Sequence, residues 1–157
     1  MKVLGIDPGT GRLGWGVVSH EKGEDSLVDC GCFETKTNSE LPERLEKIYI
    51  FLKKLIKKHK PDFFSVENLF FATNVKTAFD VGAARGVILL AGQEANLPIF
   101  QYTPLQIKSS LTGYGQADKK QIQYMVTKIL HLKKAPKPDD AADAVAAALT
   151  HIFHHPK

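Results

Sequence analysis

Four carboxylates stand where a chain could bring them together. Asp7 and Glu67 each close an apolar, strand-like run, KVLGID and DFFSVE, while Asp140 and Asp143 lie three residues apart at the start of an alanine-rich helical stretch. In open α/β sheets ligands collect at the carboxyl ends of parallel strands, and a spacing of three puts two side chains on one helical face. Carboxylates gathered in this way repel one another. Such a cluster persists at neutral pH either by elevation of its pKa values or by binding a divalent cation, and an all-oxygen set suits Mg²⁺ or Mn²⁺. Two such ions about 3.5–4 Å apart can activate water and stabilise the leaving oxygen of an in-line phosphoryl displacement, which is nuclease chemistry. Plainer readings compete for the same residues. Asp140 can cap its helix with Asp143 as its capping-box partner or as a complement to the macrodipole, and Asp7, before Pro8 and Gly9, can be a turn residue. Glu67 is harder to dismiss, because it ends an apolar strand ahead of Asn68, Leu69, Phe70 and Phe71 and a charge there requires a partner.

The elements that would position these groups can be read from periodicity. KVLGID predicts a buried strand ending at Asp7, followed by a glycine-rich turn over Pro8 to Gly11 and a second strand, RLGWGVVSH, in which Leu13, Trp15 and Val17 alternate with Gly14, Gly16 and Val18. A third strand around Leu27 to Thr35 completes an antiparallel meander. Leu41, Leu45, Ile48, Leu52, Leu55 and Ile56 then switch to helical spacing, and that helix stops near Pro61. The DFFSVE strand, a long Ala- and Gly-rich helix over residues 74 to 95 and the strand LPIFQY follow. Thr103, Pro104 and Gln106 form an N-cap, a first-turn proline and a capping-box partner; Asp118 and Gln121 repeat the signature. A last helix starts at Asp139 or Asp140 and runs to about Phe153. The order βββαβαβααα predicts an α/β fold with a five-stranded mixed sheet flanked by helices, strands 1, 4 and 5 being parallel through helical crossovers.

Composition narrows the setting. A chain of 157 residues, 43% apolar and 24% charged, suits one globular domain spanning 1–157. The longest apolar run, Val87 to Gly92, is far below the roughly 20 residues a bilayer span needs, and MKVLGID lacks the apolar core of a signal peptide, so a cytoplasmic protein without a membrane partner is expected. Cys30 and Cys32 share one face of a strand, where a bridge between them would be strained, and read as packed thiols. The net charge is +4, but residues 105–138 carry seven lysines against Asp118 alone, which favours a polyanionic partner. The glycines at 9, 11, 14 and 16 lead into a strand without the Lys-Ser or Lys-Thr of a phosphate-binding loop, so nucleotide binding is rejected there. His151, His154 and His155 read as a frayed polar tail rather than a metal site.

Four segments taken together, GIDPGTGRLGWG, FSVENLFFATN, GAARG and DDAADAVAAALTH, resemble in order and spacing the RuvC family of Holliday-junction resolvases, over nearly the whole chain. The resemblance implies a ribonuclease H-like fold and a Mg²⁺-dependent endodeoxyribonuclease, with two ions per subunit and Mn²⁺ as a substitute. Four-way junction DNA would be cut by paired symmetric nicks in recombination and repair. Motif by motif, its acidic positions fall on Asp7, Glu67, Asp140 and Asp143 as catalytic residues and metal ligands, leaving Asp139 as an extra cap or outer group. It further implies DNA contacts at Phe70, stacking at the exchange point, and at Lys108 and Lys119 on the backbone. Core packing is the competing role for one of Phe70 and Phe71, and Arg85 is either a phosphate contact or an interface residue. RuvA and RuvB are implied as branch-migration partners. A homodimer is implied too, its two-fold axis matching two scissile phosphates, with the small residues Gly82, Ala83, Ala84 and Gly86 as the candidate interface. The rivals are a YqgF-like nuclease acting on RNA, a catalytically silent junction-binding module, and an actin-like ATPase, for which the chain is too short.

Overall fold

A computed structural model describes residues 1–68 and 75–155. Its strands are β1 (Lys2–Asp7), β2 (Arg12–Glu21), β3 (Glu24–Glu34), β4 (Phe63–Glu67) and β5 (Ile99–Tyr102); its helices are α1 (Leu41–His59), α2 (Val75–Glu94), α3 (Pro104–Thr112), α4 (Lys119–Ile129) and α5 (Asp139–His154). The sheet runs β3-β2-β1-β4-β5. β1 pairs antiparallel with β2 and parallel with β4, and β4 pairs parallel with β5, as the alternation of elements requires. No helix among the described residues is long and apolar enough to cross a membrane.

Both sheet faces are covered, and the two-residue period of a strand sorts its side chains between them. Leu4 and Ile6 of β1, Leu13 and Val17 of β2, and Phe64 and Val66 of β4 pack against α1 and α2 through Ile48, Leu52, Ala84 and Ile88. Val3 points to the opposite face, where Val145, Leu149 and Ile152 of α5 join Ile107, Leu111 and Val126 of α3 and α4. By the same parity Gly5, Asp7, Arg12, Gly14, Ser65 and Glu67 belong to the α5 face. The local signals hold as well. Thr103 and Asp118 each form a complete capping box, with Gln106 and Gln121, and Gly113 closes α3 in the left-handed conformation.

α5 lies directly on the sheet, and two glycines make that possible. A Cβ on Gly5 would collide with the Ala144 carbonyl, and one on Gly14 with the backbone of Asp140. The all-but-continuous burial of Ala141 to Ile152 follows from this contact. Ser65 secures it from β4, its hydroxyl donating to the Ala147 carbonyl at 2.7 Å.

Three expectations need correction. The N-cap of α5 is Pro138, and no side chain caps the helix, so Asp140 is not spent on capping. His151 is no part of a frayed tail: it is fully buried, with Nδ1 3.0 Å from the Tyr102 hydroxyl and its ring against Phe63 and Phe100. Burial, reinforced by His155 and His154, lowers its pKa to about 4, so the ring is neutral. Third, Gly82, Ala83, Ala84 and Gly86 do not form one surface. Ala84 is buried in the core while Gly86 faces open space, because two residues along a helix are about 200° apart.

Candidate active site

The four carboxylates converge at one end of the sheet. Asp7 ends β1 beside Gly14 of β2, and Glu67 follows the Ile6–Val66 pair by one residue on β4. The Gly14 contact sets the start of α5 above them, with Asp140 in its first turn and Asp143 one turn on. Asp7 feels all three of the others. Burial is the largest influence on Asp7, and with the negative charges of Glu67, Asp143 and Asp140 it pushes the Asp7 carboxyl up to about 8. Glu67 rises to about 7, again chiefly by burial and then by Asp143, against the hydrogen bond from Asp7 and the charges of Lys108 and Lys119. The two therefore titrate as a pair holding one proton, which the Asp7 carboxyl donates to Glu67. Burial also raises Asp143, although Lys119 opposes it.

Cations close the rim. Lys119, at the start of α4, places Nζ 3.3 Å from Asp143 Oδ2 and 3.4 Å from Asp139 Oδ2. Partial burial disfavours its charge, but Asp143 and Asp139 raise its pKa on balance. Lys108, on α3, lies close enough to stabilise the Glu67 anion. Both sequence-derived lysines thus reach the carboxylates from separate helices. Asp139 is exposed and held by Gln123 Nε2 at 3.0 Å as well as by Lys119, and these contacts lower its pKa; it stands at the edge of the group. Arg85 bonds Gln101 of β5 through Nη2. Phe70 and Phe71 lie outside the described residues.

Sequence reasoning missed Arg12. From the start of β2 its Nη2 reaches Asp140 Oδ2 at 3.0 Å. The parity of β2 was the available signal: Leu13 and Trp15 face α1, so Arg12 shares the Gly14 face.

An all-oxygen donor set with two carboxyls driven well above their ordinary range fits a hard divalent cation, because such a charge would offset both the burial and the mutual repulsion that raise them. Among the described residues no three carboxylate, imidazole or thiol groups stand close enough to grip an ion without rearrangement. That agrees with Asp140 being turned to Arg12, Asp143 to Lys119, and Asp7 to Glu67.

Comparison with known proteins meets this geometry. The family model for crossover junction endodeoxyribonuclease RuvC matches residues 3–151. The chain belongs to the RuvC family. Relatives bearing that name include one from Fusobacterium nucleatum, 51% identical over 97% of this chain and 80% of its own length. Another, from Pelotomaculum thermopropionicum, is 46% identical over 99% and 94%. Thermus thermophilus RuvC superposes with a TM-score of 0.91 at 39% identity, covering 98% of this chain and 95% of that one. The same protein solved in complex with a Holliday junction substrate gives 0.89 at 36%. The yeast mitochondrial Holliday junction resolvase Ydc2, 15% identical with a TM-score of 0.71 over 96% of this chain and 77% of its own, shares the fold. The fold is therefore ribonuclease H-like, and as a RuvC family member the protein is an endodeoxyribonuclease.

Proposed function

We propose that this protein, as a single nuclease domain in the cytoplasm, resolves four-way DNA junctions by metal-assisted hydrolysis of one phosphodiester in each of two strands. The observation that carries the reading is the meeting of Asp7, Glu67, Asp140 and Asp143 from three separate elements beside Lys108 and Lys119. Asp7 and Glu67 on the rigid sheet, with Asp140 and Asp143 on α5, would hold Mg²⁺, two ions per protomer with Mn²⁺ as a substitute. Bound there, the ions supply Lewis-acid stabilisation of the phosphate and a water acidified for in-line attack. Asp7 and Glu67 must give up their shared proton to act as ligands. Lys108 and Lys119 hold non-bridging phosphate oxygens at the mouth of the site, and Phe70 stacks against a base at the crossover.

A second copy of the chain completes the proposal. Val75, Phe79 and Leu90 are 72%, 75% and 53% exposed, and with Gly86 they fall at spacings of four, seven and four along one side of α2. An exposed apolar stripe of this kind is costly to leave in water, and a two-fold dimer built on it would present two matching sites to a two-fold junction. RuvA and RuvB, implied by the family resemblance as branch-migration partners, would deliver the junction to that dimer.

The test is incubation of the purified protein with a synthetic four-way junction, a matched linear duplex and a structured RNA, each with and without Mg²⁺. Symmetric, Mg²⁺-dependent nicks in the junction alone support the reading. Preferential RNA cleavage points to the YqgF-like alternative, and tight junction binding without cleavage points to a silent binding module.

A further inference from the structure

Arg12 spans two carboxylates of different standing. Nη2 is 3.0 Å from Asp140 Oδ2, and Nε is 3.8 Å from Glu34 Oε1 on the paired position of β3. The guanidinium also meets the Cys32 thiol. Asp140 belongs to the proposed metal set, whereas Glu34 lies outside it. A divalent cation bound at Asp140 brings two positive charges beside the guanidinium already on that carboxylate, and their repulsion drives Arg12 away from it. Deprotonation offers no relief, because arginine stays charged in proteins; movement of the side chain relieves the repulsion instead. Its side chain is half exposed, at 49%, which leaves room on the solvent side for it to move, and Glu34 holds it at the mouth of the site. A guanidinium released there carries the planar donor fork that suits a phosphate.

We propose that Arg12 is the counter-ion a metal displaces from Asp140, and that the displaced guanidinium becomes a contact to the DNA backbone. One positive charge then serves Asp140 first and the substrate afterwards, so the site gains phosphate affinity as it loads with metal. Lys119 differs in having a second carboxylate, Asp139, at 3.4 Å, so it stays at the rim, within reach of a phosphate, when Asp143 is engaged.

The proposal rests on Asp140 being a metal ligand, and its test separates the two claims. Mn²⁺ is titrated calorimetrically into the DNA-free protein. Arg12→Gln should bind Mn²⁺ roughly two- to five-fold more tightly than wild type, the worth of a half-exposed ion pair. In an Asp140→Asn background the same substitution should change nothing. Weaker or unchanged Mn²⁺ binding in Arg12→Gln overturns the proposal, as does an effect that persists without the Asp140 charge. If Asp140→Asn alone leaves Mn²⁺ affinity intact, the assignment of Asp140 as a ligand falls first, and the proposal with it. The second readout is junction binding against salt, in Ca²⁺ and in EDTA. Ca²⁺ should steepen the wild-type slope of log affinity against log salt by about 0.9 more than that of Arg12→Gln, one phosphate contact's worth. Equal changes in the two proteins overturn the hand-over to DNA.

Discussion

Replacing Asp7 by Asn should stabilise the protein in the absence of metal while destroying its activity. The Asp7 carboxyl is pushed from 3.8 up to about 8, by burial first and then by Glu67, Asp143 and Asp140. A carboxyl raised on folding holds its proton more tightly in the folded chain. Its contribution to stability is therefore complete below about pH 4 and is lost as pH rises toward 8. Four pH units at 1.36 kcal/mol each set a ceiling of roughly 6 kcal/mol. Sharing of the proton with Glu67 and the solvent that still reaches the site reduce this to about 2 kcal/mol, using an effective protein dielectric near 20. For a chain of this size that corresponds to a rise in Tm of about 4–8 °C. Thermal unfolding of wild type and Asp7→Asn in EDTA, from pH 4 to pH 9, provides the assay. The difference in Tm should be near zero at pH 4 and reach its plateau near pH 8. Mn²⁺ at pH 8 should then raise the Tm of wild type and leave that of the variant nearly unmoved. A difference that is flat with pH, or a variant less stable than wild type at pH 8, would refute the account of Asp7 as a repelled, proton-holding carboxyl.

The neighbouring acids should divide sharply. Asp140→Asn and Asp143→Asn abolish cleavage with junction binding kept or tightened, whereas Asp139→Asn, exposed and tied to Gln123, changes cleavage less than about three-fold in a gel assay, the size of a surface effect. Gly14→Ala forces a methyl group into the Asp140 backbone, so it should cost about 1–3 kcal/mol by overpacking and lower the cleavage rate more than junction affinity, as read by melting and single-turnover kinetics. Lys108→Ala and Lys119→Ala should each flatten the salt dependence of junction binding by about 0.9; unchanged slopes would return both lysines to ordinary surface. Phe79→Glu places a charge on the apolar stripe of α2 and should convert a dimer to a folded monomer in sedimentation analysis, leaving the unfolding free energy within about 1 kcal/mol of wild type once dimerisation is accounted for.

Much of this protein is written in short-range patterns. The capping boxes at Thr103 and Asp118 need only residues three apart, and the alternation in β1 and β4 depends only on the two-residue repeat of an extended chain. Both were legible in the sequence because their physics is local. The same locality marked Asp7 and Glu67 as strand-ending acids and set Asp140 and Asp143 on one helical face. Tertiary structure decided what came to rest on what. The open backbone at Gly5 and Gly14 let α5 descend onto the sheet, and that contact, made across more than 120 residues of chain, brought Asp140 to Arg12 and buried His151 beside Tyr102. On the opposite face, packing of α2 against the sheet and α1 turned Ala84 inward and left Gly86 outward on a helix whose composition is nearly uniform around its circumference. Local propensity is silent on such pairings, because burial and ion pairing are properties of the two surfaces that meet, and a sequence read along its length contains only one of them at a time.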